Sequence, residues 1–335
     1  MAGILPADQP RELIAKASGT TNPEYGFSSL DNLPIEYLLD NGVIALDKPA
    51  GPTSHEVATW VRKILNVERV GHGGTLDPGV TGILPIGVGN ATKAMQALLH
   101  AGKEYVCVLE LHHNADEGEI RSVISEFVGK IYQKPPLRSS VKRVLRVREI
   151  YYIKIIEIKG RLIVFRVGSQ AGTYIRKLCF DIGEALGVGG HMRELRRTRV
   201  GNFREDEHLC SLYDLKDAFI FWKDDGDESL LRMYLQPIEF GVGHLPYIKV
   251  RDSAVDAICH GANLAATGVV QLSTGIKKDD MIAIKTLKDE VIALAQATES
   301  SERITKAKSG IIAKSERVLM VRGRYPQLWK KRSED

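Results

Sequence analysis

Apolar and polar positions change period several times along the chain, and each change predicts a different element. Gly42-Val-Ile-Ala-Leu-Asp47 is a short apolar run that reads as a strand; it ends at Lys48-Pro49, because proline cannot continue a ladder. Thr53 and Glu56 have capping-box spacing. Val57, Trp60, Val61, Ile64 and Leu65 then recur at helical intervals, predicting a helix from about 54 to 66. From Lys103 to Leu111 the alternation is strict, so Tyr105, Cys107, Leu109 and Leu111 share one face of a strand. Residues 148–159 and 161–167, joined at Lys159-Gly160, predict a β-hairpin. Thr173 is the expected cap of a helix running to Gly187, with Leu178, Cys179, Ile182 and Leu186 on its buried face. Residues 1–40 have scattered Pro and Gly and little periodicity, and read as an extended arm.

From about 246 the texture changes. Short β-branched runs (247–250, 268–272, 281–285, 291–297, 311–313 and 318–321) alternate with Gly and Lys/Asp turns, which predicts a small β-barrel-like module. The irregular interleaving before it predicts an α+β fold with a mixed or antiparallel sheet rather than a doubly wound one. The expected division is an N-terminal extension over 1–40, a larger α+β domain over 41–245, the β module over 246–325 and a tail over 326–335. A chain of 335 residues exceeds what one core usually holds, which agrees.

Composition narrows the class. With 44% hydrophobic and 26% charged residues the chain is ordinary globular protein. No apolar run approaches the ~20 residues of a membrane span, and the N-terminus lacks the apolar h-region of a signal peptide. A cytoplasmic location is expected, nucleolar only in a eukaryotic cell. The four cysteines form no CxxC pair, so buried free thiols are expected rather than a zinc site or disulfide framework.

The net charge of +4 names no partner, but its distribution does more. Residues 1–40 carry two basic and six acidic groups, while 246–325 carry thirteen basic against nine acidic; packing of the acidic arm on the basic module is one expectation from that contrast. Two cationic islands stand between them. One runs from Arg138 through Lys142, Arg143 and Arg146 to Arg148 without an acid. The other holds Arg193, Arg196, Arg197 and Arg199 against one Glu. Such islands suit phosphate neutralisation, although one alone is more often a solvated face.

Few motifs carry chemistry. Gly87-Val-Gly89 lacks the third Gly of a dinucleotide fingerprint, and no GxxxxGK[ST] occurs. His112-His113 with Asp116 reads as a surface loop rather than a metal site. Asp77 lies in the glycine-dense stretch Gly71–Gly82, where the backbone can approach another molecule closely; an Asp-Pro turn is the plain alternative. Arg176 falls in the first turn of its helix, where the dipole disfavours a cation unless a carboxylate pairs with it. Tyr105 can stack a base or simply fill the core.

Leu46-Asp-Lys-Pro-Ala-Gly-Pro-Thr-Ser54, Gly71-His-Gly-Gly-Thr-Leu-Asp-Pro78, Lys103-Glu-Tyr105, Tyr174-Ile-Arg-Lys-Leu178 and Leu195-Arg-Arg-Thr-Arg-Val-Gly201 resemble, in order and spacing, the motifs of the TruB-type pseudouridine synthases. The tail, with His260-Gly-Ala-Asn-Leu264 and Gly275-Ile-Lys-Lys-Asp-Asp280, is similar to a PUA domain. Arg11-Glu-Leu-Ile, Pro34-Ile-Glu-Tyr37 and Pro135-Pro-Leu-Arg-Ser-Ser-Val-Lys-Arg143 resemble the dyskerin-like branch in its compact archaeal form. Val80 and Thr81 depart from the small or Ser residues usual before Gly82.

The resemblance implies a pseudouridine-synthase catalytic fold with a mixed, mainly antiparallel sheet, plus a PUA domain. It implies isomerisation of uridine to pseudouridine without cofactor or metal. Asp77 would be the nucleophile, Arg176 its charge partner in a water-poor pocket, Tyr105 a stacking platform and His72 a filler of the space an extruded base leaves. Lys48 with Asp47 would organise the nearby loop, Lys48 also standing among the expected RNA contacts. Residues 138–148 would be a thumb loop, with Arg138, Lys142, Arg143 and Arg146 on RNA. Arg193, Arg196, Arg197 and Arg199 would hold phosphates. His260, Gly261, Ala262, Leu264, Lys277 and Lys278 would grip an RNA end. Implied partners are an H/ACA guide RNA, rRNA and tRNA, small Nop-type and Gar-type proteins and a kink-turn-binding ribosomal-type protein. The alternatives are a stand-alone tRNA synthase and a non-catalytic RNA scaffold.

Overall fold

The computed structural model describes residues 3–135 and 144–328. Arg138, Lys142 and Arg143 lie outside the described residues. Two mixed sheets organise an α+β chain. The larger has eight strands in the order Leu209–Cys210, Gly42–Lys48, Thr81–Val88, Gly190–Val200, Lys103–Leu111, Leu162–Ser169, Arg146–Lys159 and Gly129–Gln133, with three short strands pairing alongside. Most pairs are antiparallel. The Thr81–Val88 and Gly190–Val200 strands run parallel, through Thr81–Arg196 and Gly82–Arg197. That seam is tight: Gly82 has φ of +99°, and a Cβ there would stand 2.2 Å from the Arg197 carbonyl oxygen. Only glycine closes the sheet at this point.

The Thr53/Glu56 capping box forms, and the helix runs Ser54–Ile64. The second helix of the site differs from its expected start. Tyr174 occupies its N-cap and the helix spans Ile175–Ala185, because the Thr173 hydroxyl donates back to the Gln170 carbonyl instead of capping. Leu178, Cys179 and Ile182 are buried against the sheet.

The second sheet holds seven strands, and its order begins with a strand from the arm. Leu13–Ala15 pairs antiparallel with Val269–Ser273, followed by Tyr247–Val250, Met281–Lys285, Val291–Ala297, Ile311–Val318 and Leu264–Ala265. The run expected at 311–313 extends into one strand, Ile311–Val318, and of the run expected at 318–321 only Val318 lies in a strand. Besides the main-chain pairing of Leu13–Ala15, cations of the module hold the arm: Lys288 donates to the Pro23 carbonyl at 2.8 Å and Arg324 lies over the Phe27 ring. Acidic Asp8 forks onto Arg199 of the large sheet at 2.6 Å per bond. Ala283, Val291 and Leu294 of this module share a core with Met95, Leu98 and Val242 of the large domain. All four cysteines are free and buried.

Candidate active site

The loop after Gly74 carries Asp77 between two buried anchors. Leu76 and Val80 sit in one core cluster with Tyr105, Ile175 and Leu178, so the bulkier Val80 fills the interior and leaves Asp77 pointing out. Ser54 fixes the loop from below, its hydroxyl accepting from the Leu76 N–H at 2.9 Å and donating to the Leu76 carbonyl at 3.2 Å. The Val80 N–H closes a turn on the Asp77 carbonyl at 3.0 Å. Arg176 reaches across from its helix and donates to Asp77 Oδ2. Tyr105 presents its ring from the Lys103–Leu111 strand. All three residues line one cavity of about 560 Å³, with Gly172, Tyr174, Met192 and Leu195 among its other walls.

Two features depart from the expected site. The Asp77 and Arg176 side chains are 60% and 56% exposed, so the pair stands at an open mouth rather than in a dry pocket. His72 lies on the short Val70–His72 strand and is not part of the cavity wall. Burial, with Arg197 and His55 nearby, lowers its pKa, and its Nδ1 is buried without a partner among the described residues.

The cationic island on the Gly190–Val200 strand divides. Arg193 is half exposed and donates to Glu110 at 3.1 Å. Arg196 forks onto Asp47 at 2.9 and 3.0 Å and also holds Glu205. Arg199 is held by Asp8. Arg197 cannot hold a phosphate: it is 1% exposed, and it donates to the Ile83 and Gly74 carbonyls at 2.8 and 3.0 Å, with Thr75 at 3.5 Å. Lys48 is likewise interior, its ammonium donating to the Pro49, Pro78 and Val80 carbonyls at 2.8, 3.0 and 3.0 Å. Both spend their N–H groups on main-chain carbonyls that fix the Asp77 loop, which departs from the RNA contacts expected of them. Arg146, half buried, begins the Arg146–Lys159 strand, and Arg148 donates to the Gly172 carbonyl at the cavity rim.

Lys103 is the residue the motifs underrate. It shares the buried face of Tyr105, and its ammonium donates to the Leu98, Leu99 and Ala101 carbonyls at 3.1, 3.3 and 2.9 Å. Burial, with Arg197 beside it, pushes its pKa down to about 7. Extending the period-two alternation from Tyr105 back by two positions is the signal that finds it. Gln133 was also missed; it clamps the start of the Arg176 helix through the Tyr174 N–H and carbonyl at 2.9 and 3.1 Å.

In the smaller domain His260, Gly261 and Ala262 are exposed, with His260 beside Asp256 at 3.5 Å. His260 and Gly261 border a groove shared with Asn90 and Lys93 of the large domain. Lys277 and Lys278 are exposed in a turn. Leu264 is a core residue, 1% exposed, so its side chain offers nothing to a ligand. Among the described residues no cluster of three His, Cys, Asp or Glu could hold a metal, and no helix is long and apolar enough to cross a membrane.

Family models match in chain order: the DKCLD (NUC011) domain at residues 5–58, the N-terminal domain of TruB family pseudouridylate synthase at 62–175, the C-terminal domain of tRNA pseudouridylate synthase B at 176–242, and the PUA domain at 246–319. The chain is 55% identical over 327 residues to a probable tRNA pseudouridine synthase B of Pyrococcus abyssi, covering 97% of this chain and 98% of the relative. Against the protein of the same name from Methanosarcina barkeri it is 54% identical, covering 99% and 97%. A chain in the crystal structure of a Cbf5-Nop10-Gar1 complex superimposes with a TM-score of 0.94 at 53% identity, covering 97% and 99%. A chain in an H/ACA RNP bound to a substrate RNA containing 2'-deoxyuridine gives 0.91 at 51%, covering 97% and 100%.

Proposed function

Because the chain belongs to the TruB family of pseudouridine synthases, we propose that it isomerises target uridines at the Asp77 cavity as the catalytic subunit of an H/ACA guide ribonucleoprotein acting on rRNA, and also modifies the T-loop uridine of tRNA. The observation that carries this reading is the convergence of Asp77, Arg176 and Tyr105 on one cavity from three separate elements. Similarity along the full chain to the proteins of the Cbf5-Nop10-Gar1 complex and the RNA-bound H/ACA RNP supports small Nop-type and Gar-type partners, a kink-turn-binding ribosomal-type protein and a guide RNA. The relatives' organisms support an archaeal-type cytoplasm as its setting.

The chemistry follows from the groups present. Asp77 as carboxylate attacks C1′ of the flipped nucleotide; the C1′–O bond forms as the N1–C1′ bond breaks, its electron pair leaving with the uracil ring. Attack on the ring instead also loads negative charge onto the pyrimidine. After the base turns, C5 bonds to C1′ and displaces the carboxylate, the C5 proton departs and N1 is reprotonated, so nothing is gained or lost overall. Arg176 holds the carboxylate ionised and aimed. Tyr105 offers its ring to the extruded base, which flipping deprives of its stack at a cost of a few kcal/mol. His72, on the strand beside the loop, supplies a group for the vacated stack. Outside the cavity, Arg193, Arg146 and the thumb cations Arg138, Lys142 and Arg143 position phosphates, while His260–Ala262, Lys277 and Lys278 hold an RNA end.

Pseudouridine assayed on a T-loop RNA and on a guide–target pair, each with and without the accessory proteins, tests the assignment. Product is expected on the tRNA from the chain alone and on the guided target from the assembly. Guided product from the chain alone removes the dependence on partners; RNA binding without product on either RNA leaves only a scaffold.

A further inference from the structure

Three buried cations stand close to the Asp77 loop and make no salt bridge among the described residues: Lys48, on which Asp77 acts at longer range, Lys103 and Arg197. Lys48 and Lys103 donate to backbone carbonyls, and Arg197 adds the Tyr105 phenol to its carbonyl partners. Two of them converge on one point, since a Cβ at Gly74 would stand 3.7 Å from both the Lys103 Cε and the Arg197 guanidinium. Tyr105 pairs with Arg197 across the strands, and its phenol faces that guanidinium. Lys103, Arg197 and Tyr105 all border the cavity.

A buried charge without a counter-ion is costly, and a neutral amide could satisfy carbonyls at a lower desolvation penalty. Three acceptors on Lys103 can be served together only by the ammonium form, because a neutral amine has two N–H groups. The reaction creates the missing anion. Rupture of the N1–C1′ bond, or addition to the ring, places an electron pair on the pyrimidine inside this cavity. We propose that Lys103, with Arg197 beside it, stabilises the negative charge that the uracil ring carries during the reaction. Its N–H groups are already occupied, so Lys103 acts through its field as a positioning residue and not by contact. Preorganised charge on buried cations stabilises a developing anion without reorganisation.

The inference rests on uridine occupying the Asp77 cavity, and the test separates the two ideas. The full chain, assembled with its RNA and accessory proteins, turns over target RNA carrying either uridine or 5-fluorouridine under single-turnover conditions at pH 6.5. Fluorine withdraws electrons from the ring and makes it a less demanding anion. Lys103→Met is expected to slow consumption of uridine by ~10–100-fold, with RNA affinity unchanged, and to slow consumption of 5-fluorouridine distinctly less. Lys103→Gln, which keeps two N–H donors for the carbonyls, is expected to behave alike and covers the case in which the Met variant does not fold. Equal losses on the two substrates, or a loss confined to RNA affinity, would overturn the proposal. Asp77→Asn run in parallel reports on the cavity itself: turnover surviving that substitution removes the uridine site, whatever Lys103 does.

Discussion

Two sets of charges serve the loop around Asp77, and they are built in opposite ways. The Asp77–Arg176 pair is more than half exposed, joins two distant segments and is solvated at the cavity mouth. Lys48, Lys103 and Arg197 are buried, make no salt bridge among the described residues and hold main-chain carbonyls. An exposed ion pair contributes about 0–1 kcal/mol to folding, so the first set owes its place to chemistry. Removing a buried, hydrogen-bonded cation leaves its acceptors stranded: for Lys48 and Arg197 these include Pro78, Val80 and Gly74 of the loop, whereas those of Lys103 are Leu98, Leu99 and Ala101.

Substitutions should expose this contrast, most strongly at Arg197. Arg197→Met strands the Ile83 and Gly74 carbonyls at ~1–3 kcal/mol each; urea unfolding should show a loss of several kcal/mol, whereas Arg176→Met should stay within about 0.5 kcal/mol of wild type. Comparable losses would erase the distinction. Lys103 gives a pH signature. Its pKa falls from 10.5 to about 7 on folding, so between those values the unfolded chain binds the extra proton. This group therefore contributes a rise in stability from about pH 7 towards 10.5, and chemical denaturation across that window should flatten by a few kcal/mol in Lys103→Met. Ser54→Ala removes two hydrogen bonds to Leu76 and should cost about 1–2 kcal/mol while slowing turnover with RNA affinity intact; an unchanged rate would detach the loop's anchoring from its chemistry. At the small end, replacing Lys277 and Lys278 by Ala should leave melting unchanged and lower the salt dependence of RNA binding by about one to two counter-ions.

How far the sequence reveals this depends on what a residue's neighbours must do. The Lys103–Leu111 strand was legible to the residue, because alternation is a local property and buried side chains enforce it. The Ile175–Ala185 helix was legible but not its cap, since the Thr173 hydroxyl has an equally local competitor in the Gln170 carbonyl. The Arg193–Arg199 island was legible as charge and misleading as surface. Four arginines so close look alike in one dimension, yet a register shift in the sheet between Glu104 and Tyr105 sets Arg197 opposite Tyr105 and turns it inward. Lys48 failed for the same reason, its acceptors lying thirty residues away at Pro78 and Val80. The arm's strand was invisible because its partner, Val269–Ser273, is more than 250 residues distant and three paired residues leave almost no period.

The central claim is that Asp77 is exposed for chemistry while Lys48 and Arg197 beneath it hold the loop. Single-turnover pseudouridine formation by Asp77→Asn, measured on tRNA alongside its melting curve, tests it most directly. The account predicts a rate loss of at least about 10³-fold with a melting temperature matching wild type. Product formed within tenfold of the wild-type rate, or activity lost only because the protein unfolds, would contradict it.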